Sequence, residues 1–142
     1  WRATGYDLQL TWLPFTGTSI ALQFANTRVD ATRLRDWDDV APQQRLFKVP
    51  EHTGSLFITQ EMSRGWSFSV MGYHQSFVDW RRGEEMEGFD RYDMTLSKKI
   101  DFGYQQLRLD LRVENVADKK YLEYQKGNYF ERAIYLNAGI NW

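Results

Sequence analysis

Apolar and polar residues alternate one by one along most of the chain, with a period of two rather than the 3.6 of a helix. The stretch QLRLDLRVE at residues 106–114 is the clearest case, because leucine and valine fill the odd positions and charged residues fill most of the even ones. Successive side chains of an extended strand point to opposite faces. The alternation therefore predicts strands that have one apolar and one polar face.

Seven segments carry this alternation, and they predict an all-β, antiparallel fold of about seven strands. They are centred on residues 8–12, 20–24, 56–58, 66–70, 92–96, 107–113 and 134–142. The residues predicted to share one apolar face are Leu8, Leu10, Trp12, Ile20, Leu22, Phe24, Leu56, Ile58, Trp66, Phe68, Val70, Leu107, Leu109, Leu111, Ile134, Leu136 and Ile140.

Short and long connections alternate strictly between these segments. The short ones are 14–18, 62–65 and 101–105, and the long ones are 28–51, 79–89 and 116–130. A soluble sheet with one solvated face would show the same alternation within its strands. Outer-membrane barrels, however, have short periplasmic turns and long extracellular loops. The connections therefore favour antiparallel transmembrane β-barrel strands whose apolar face contacts outer-membrane lipid.

The composition agrees with a membrane barrel and argues against nucleic acid as a partner. Aromatic residues make up 16% of the 142 residues, although the mean hydropathy is only −0.61. Membrane barrels place aromatic rings at the two lipid–water interfaces. No apolar run approaches the roughly 20 residues of a membrane helix. The net charge of −1, without a basic cluster, gives no footprint for nucleic acid.

Candidate chemistry is confined to the long connections, and we predict neither a catalytic site nor a bound metal or cofactor. The chain has no cysteine, and the spacing of its two histidines does not resemble a metal site. Aromatic and charged residues on external loops suit ligand capture, with ordinary solvated loop residues as the alternative. The candidate ligand-binding residues are Arg35, Trp37, Asp38, Arg81 and Glu84.

The number of strands predicts a part of a larger barrel. Seven strands that end at the short-turn side must begin at the long-loop side. A complete bacterial barrel has an even number of strands, with both ends in the periplasm. We therefore expect this chain to be the C-terminal portion of a longer barrel.

Four stretches resemble TonB-dependent outer-membrane receptors. RVENVADKKYLEY at 112–124 is similar to a signature near the end of that family, with Asn115, Asp118, Lys119 and Tyr121 matching. VPEHTGSLFITQEM at 49–62 and ATGYDLQLTWLP at 3–14 resemble strand entries that precede it. The fourth stretch is the last strand, which ends in tryptophan where the family usually has phenylalanine.

The resemblance implies the last seven strands of a 22-stranded barrel in the outer membrane of a Gram-negative bacterium. Such receptors import a scarce nutrient of the siderophore–iron, haem or cobalamin class, with energy supplied through TonB. The plug domain that contacts TonB is absent from this sequence, so the rest of the barrel and the plug would be partners. The nutrient is not indicated. The alternatives are a small self-standing outer-membrane barrel acting as adhesin or enzyme, and a soluble all-β binding module.

The resemblance also assigns a role to the last strand, and local chemistry assigns roles to residues of the family signature. In the family, the barrel-assembly machinery recognises a last strand with alternating apolar residues and a terminal aromatic ring. The corresponding residues here are Ile134, Leu136, Ala138, Ile140 and Trp142. In the family signature, Asn115 and Asp118 are predicted to bond neighbouring backbone groups in a turn. Tyr121 is predicted to return to the interfacial aromatic belt.

Overall fold

The computed structural model describes residues 2–30, 49–79, 85–123 and 129–142. Within these residues it is all-β, apart from one short 3-10 turn at Ser63–Gly65. The strands are β1 (Arg2–Trp12), β2 (Thr18–Asp30), β3 (His52–Glu61), β4 (Trp66–Gln75), β5 (Val78–Asp79), β6 (Glu85–Met86), β7 (Phe89–Phe102), β8 (Gln105–Glu114) and β9 (Ala133–Asn141). No helix in the described ranges is long and apolar enough to cross a membrane.

Seven of these strands form one antiparallel sheet, in the order β1-β2-β3-β4-β7-β8-β9. Each strand therefore pairs with the preceding and following strands of the sheet along the chain, as the alternating segments predict. The two-residue strands β5 and β6 form a separate ladder within the connection between β4 and β7. The all-β, antiparallel prediction with seven main strands is confirmed.

Two of the long connections differ most clearly from the prediction. The long connection predicted at 28–51 begins later, because β2 stays paired with β1 as far as Asp30, opposite Arg2. The connection predicted at 79–89 contains the β5–β6 ladder, and β7 already begins at Phe89, opposite Gln75. In both cases cross-strand pairing continues beyond the apolar alternation that marks the strand in the sequence.

The register brings the predicted apolar positions of all seven strands onto one face. Directly opposed residues of an antiparallel pair lie on the same side of a sheet. One row of opposed residues crosses the whole sheet and is apolar throughout: Trp12, Ile20, Ile58, Val70, Met94, Val113 and Ile134. We call this side the apolar face and the opposite side the polar face.

The apolar face is largely uncovered in this structure. Leu10 is 55% exposed and Leu136 is 77% exposed. The buried apolar residues of the described part of the chain are few and lie elsewhere: Val78 and Met86 in the β5–β6 ladder, and Tyr121. An apolar surface spanning seven strands is far more than a monomeric soluble protein usually exposes, so it indicates a contact with lipid or with another protein.

The turn between β3 and β4 is shaped by two residues in left-handed backbone conformations. Arg64 has φ of 60° and Gly65 has φ of 75°. A side chain at Gly65 would clash with the backbone oxygen of Lys99 in β7. The glycine therefore lets this turn pack directly against the neighbouring strand.

Candidate functional site

The polar face contains a concave depression of about 600 Å³. Its wall is made of serine, threonine and charged side chains, which come from β3, β4, β7 and β8, with Asn137 contributed by β9. A few apolar side chains, such as Phe57 and Met71, lie among them. The two faces of the sheet thus present opposite chemistry, and the polar one is suited to contact with water or a polar ligand.

Charged residues on β8 pair with their neighbours on the same face. The Nε of Arg108 donates to both carboxylate oxygens of Asp110, at 2.9 and 3.0 Å. Arg112 lies 3.0 Å from a carboxylate oxygen of Glu114. Charges of opposite sign on this face of β8 thus neutralise one another. Because these side chains are partly exposed, each pair adds little to stability and mainly sets the local charge pattern.

Asp93 is the centre of the network on the polar face. Only 3% of its surface is exposed, and it lies 3.3 Å from Arg91 and 3.6 Å from Arg112. Its Oδ1 also accepts a hydrogen bond of 3.0 Å from the backbone N–H of Asn115. A buried carboxylate requires such partners because burial removes its hydration. Asp93 therefore connects β7, β8 and the segment that follows β8.

The segment after β8 is organised by Asn115 and Asp118. Both have left-handed φ values, 52° and 54°, which asparagine and aspartate tolerate better than most residues. Asn115 is 1% exposed and donates from Nδ2 to the backbone oxygen of Lys119 at 2.9 Å. Asp118 accepts a bond of 3.0 Å from the backbone N–H of Arg132. The predicted bond to a neighbouring backbone group is confirmed for Asn115, whereas the side chain of Asp118 bonds to Arg132, 14 positions later in the chain.

The lysines of the same segment are exposed. The Nζ of Lys120 lies 2.7 Å from a carboxylate oxygen of Glu131. That carboxylate accepts a hydrogen bond and raises the pKa of the Lys120 ammonium above its usual value. This contact and the Asp118–Arg132 contact both join the two ends of the connection between β8 and β9.

The location predicted for Tyr121 is wrong. Tyr121 is only 8% exposed and stacks between Phe89 and Phe130, with ring centroids 4.3 and 5.4 Å apart. Its hydroxyl accepts a hydrogen bond of 3.3 Å from Arg91. Phe89 and Arg91 belong to the polar side of β7, because they alternate with Tyr92 and Met94. Tyr121 therefore folds over the polar face and does not join the aromatic residues of the apolar face.

The residues of the last strand lie as the alternation predicts. Ile134, Leu136 and Ile140 oppose Val113, Leu111 and Leu107 of β8, and Ala138 opposes Leu109. Trp142 follows the end of β9 and is 93% exposed. The arrangement is compatible with an assembly signal, which stays a prediction.

The predicted ligand-binding residues fall outside the described residues. These are Arg35, Trp37 and Asp38 in the first long connection, and Arg81 and Glu84 in the second. In the described ranges, no group of three or more histidine, aspartate or glutamate side chains is placed to hold a metal ion.

Sequence reasoning missed the Arg91–Asp93 pair. The signal was present, because RYD at 91–93 alternates charges around Tyr92 in the same way as RLD at 108–110. What the sequence does not show is that Asp93 lies diagonally across the β7–β8 ladder from Arg112, whose direct partner is Thr95. That proximity follows from the register, in which Met94 opposes Val113.

Together, the fold and its surfaces place the chain in the class of antiparallel β-sheet proteins that have an uncovered apolar face on one side and a charged, concave face on the other. Two curated proteins are similar to this chain. Both are the metal-pseudopaline receptor CntO of Pseudomonas aeruginosa, from strains UCBPP-PA14 and PAO1, and each is 27% identical over 137 residues. The similarity covers 89% of this chain, which spans 18% of the length of either relative. It relates the chain to a receptor. No family model and no solved structure matches the chain.

Proposed function

We propose that the chain forms seven neighbouring strands in the wall of a TonB-dependent receptor of the outer membrane. In this proposal the receptor imports a scarce nutrient, a metal ion held by a small organic chelator being the first candidate. The apolar face contacts lipid and the polar face lines the inside of the barrel. The observation that carries the proposal is the uninterrupted apolar row across all seven strands.

The chemistry of the two faces supports this arrangement over a soluble sheet. A sheet that buries its apolar face needs a second layer to cover it, and the described residues supply none. The polar face is also concave, as the inner surface of a barrel wall would be. Its arginine and carboxylate side chains already neutralise one another, as in the pair formed by Arg108 and Asp110.

The sheet edges support a larger assembly. In the described sheet, β1 and β9 each pair with one neighbour only. Inside a membrane, every unpaired backbone N–H or C=O group at such an edge costs several kcal/mol. In a closed barrel, further strands would pair with both edges, and the complete receptor would include the C-terminal portion proposed here together with a plug domain.

The nutrient class rests on similarity alone. The relatives are named for a metal–pseudopaline complex, which supports a chelated metal over haem or cobalamin. Transport through the plug and TonB, and recognition of β9 by the barrel-assembly machinery, follow from the same family resemblance.

The proposal is tested by locating the native protein and measuring uptake. We expect it in the outer-membrane fraction of its bacterium, with an electrophoretic mobility that shifts on heating. Deletion of the gene should abolish uptake of one chelated metal from a panel of chelates, and deletion of tonB should have the same effect. A protein found in the periplasm or cytoplasm would contradict the membrane proposal. An outer-membrane protein whose deletion leaves uptake of every chelate unchanged would favour an adhesin or enzyme.

A further inference from the structure

One lysine lies within the apolar face. Lys98 has the same parity on β7 as Met94 and Leu96, and it lies between Trp66 of β4 and Leu109 of β8. A lysine among apolar residues that face lipid is costly unless its ammonium reaches a polar environment. The Lys98 ammonium therefore needs a polar partner at this position.

The position of the ammonium is set by the turn between β3 and β4. The Nζ of Lys98 donates a hydrogen bond to the backbone oxygen of Arg64 and lies 5.0 Å from the centre of the Trp66 ring. The turn itself is held against β7, because Gly65 packs on the backbone of Lys99. The ammonium, the indole ring and the Arg64 backbone are thus fixed together at the short-turn end of the apolar face.

The charge of this group is not neutralised by neighbouring carboxylates. Across the described part of the chain, ion pairs lie on the polar face, at the long-loop end of the sheet and between the ends of the β8–β9 connection. None of them involves Lys98 or Arg64. An ammonium has three donors, and the contact with Arg64 uses one of them. The site therefore has both positive charge and donors to offer to an anion.

We propose that Lys98, Arg64 and Trp66 bind the phosphate group of an anionic phospholipid. Resting on the proposed function, this inference places the lipid in the membrane leaflet next to the short turns. Its acyl chains would lie along Phe68 and Leu109, and its phosphate would receive the free donors of Lys98 and the guanidinium of Arg64. Tryptophan is favoured at the level of lipid headgroups, and basic residues there attract anionic lipids.

The test uses the native protein extracted in detergent and stripped of lipid. Binding of phosphatidylglycerol is measured by native mass spectrometry, with phosphatidylcholine of the same acyl chains as the zwitterionic comparison. The variants are Lys98→Gln and Arg64→Gln. The matched control is Lys99→Gln, which removes the same charge from the adjacent residue on the polar face. Inorganic phosphate is added in a separate series as a competitor.

We expect Lys98→Gln and Arg64→Gln each to weaken phosphatidylglycerol binding by about fivefold, the effect of one basic residue near a membrane surface. Lys99→Gln should bind like the unaltered protein, and phosphatidylcholine should bind less tightly than phosphatidylglycerol. Equal loss of phosphatidylglycerol binding in the Lys98 and Lys99 variants, or no loss of binding in either, would overturn the proposed lipid site. Displacement of the lipid by millimolar phosphate would identify a free-anion site and overturn the lipid assignment.

Membrane extraction of every variant separates this inference from the proposed function. A protein that is absent from the membrane fraction contradicts the proposed function itself. A heat-modifiable membrane protein that binds phosphatidylglycerol equally with or without Lys98 contradicts only the lipid site. The heat shift also shows that a variant with weakened binding is still folded.

Discussion

Replacement of Leu111 by arginine tests whether the apolar face contacts lipid. Leu111 lies in the inner part of β8, between Leu96 and Leu136, and is 44% exposed in the isolated sheet. If this surface faced water, the substitution would change the free energy of unfolding by no more than about 0.5 kcal/mol. If it faces the middle of a bilayer, an arginine costs about 2–4 kcal/mol. The two environments therefore predict clearly different results.

The measurement is equilibrium unfolding of the native protein in phospholipid vesicles, followed by tryptophan fluorescence. Leu107→Arg is the matched control, because it is on the same strand and face but closer to the short turn, where the cost falls to about 0–1 kcal/mol. Leu109 is less suitable, since an arginine there would also meet Lys98 across the ladder. Equal, near-zero costs at 111 and 107 would refute the assignment of this face to lipid.

Three further predictions concern the polar face and the orientation of the sheet. Asp93→Asn should lower the free energy of unfolding by about 1.5–3 kcal/mol, because it leaves Arg91 and Arg112 without their carboxylate partner. The control, Asp101→Asn at an exposed position, should change it by less than about 0.5 kcal/mol. Equal effects of the two substitutions would contradict the central role of Asp93. Tyr121→Ala should speed proteolysis within 116–130 whereas Tyr121→Phe should not, and identical rates would show that ring stacking does not hold this segment. The chain has no cysteine, so a single introduced cysteine is its only thiol. Tyr129→Cys should react with an impermeant thiol reagent on whole cells, and Tyr104→Cys should react only after permeabilisation. The reverse labelling would invert the proposed topology.

The strands and their faces could be predicted because they depend on local alternation. The parity of a residue within a strand decides which side it faces, as Leu111 and Arg112 show, and this information is contained in a few neighbouring residues. The turn at Asn115 was also predictable, since its side chain bonds to the backbone of Lys119, four positions later.

The contacts that depend on register or on chain reversal could not be predicted. Asp93 meets Arg112 only because the β7–β8 hairpin sets a particular alignment. The location of Tyr121 was predicted wrongly because one of its aromatic partners is Phe89, which lies 32 positions earlier in the chain, on the polar side of β7. Its parity gives no information there, because it lies in a connection that folds back over the sheet.

Lys98 and Lys99 show how much of the chemistry depends on alignment. They are adjacent and identical in type, yet Lys98 lies beside Trp66 on the apolar face and Lys99 lines the depression on the polar face. A shift of one residue in β7 would exchange their surroundings and would also turn Met94 away from the apolar row. In the observed alignment, the turn at Gly65 packs closely against the Lys99 backbone. The alignment of β7 with its neighbours therefore decides which of the two lysines lies on the apolar face and which on the polar face.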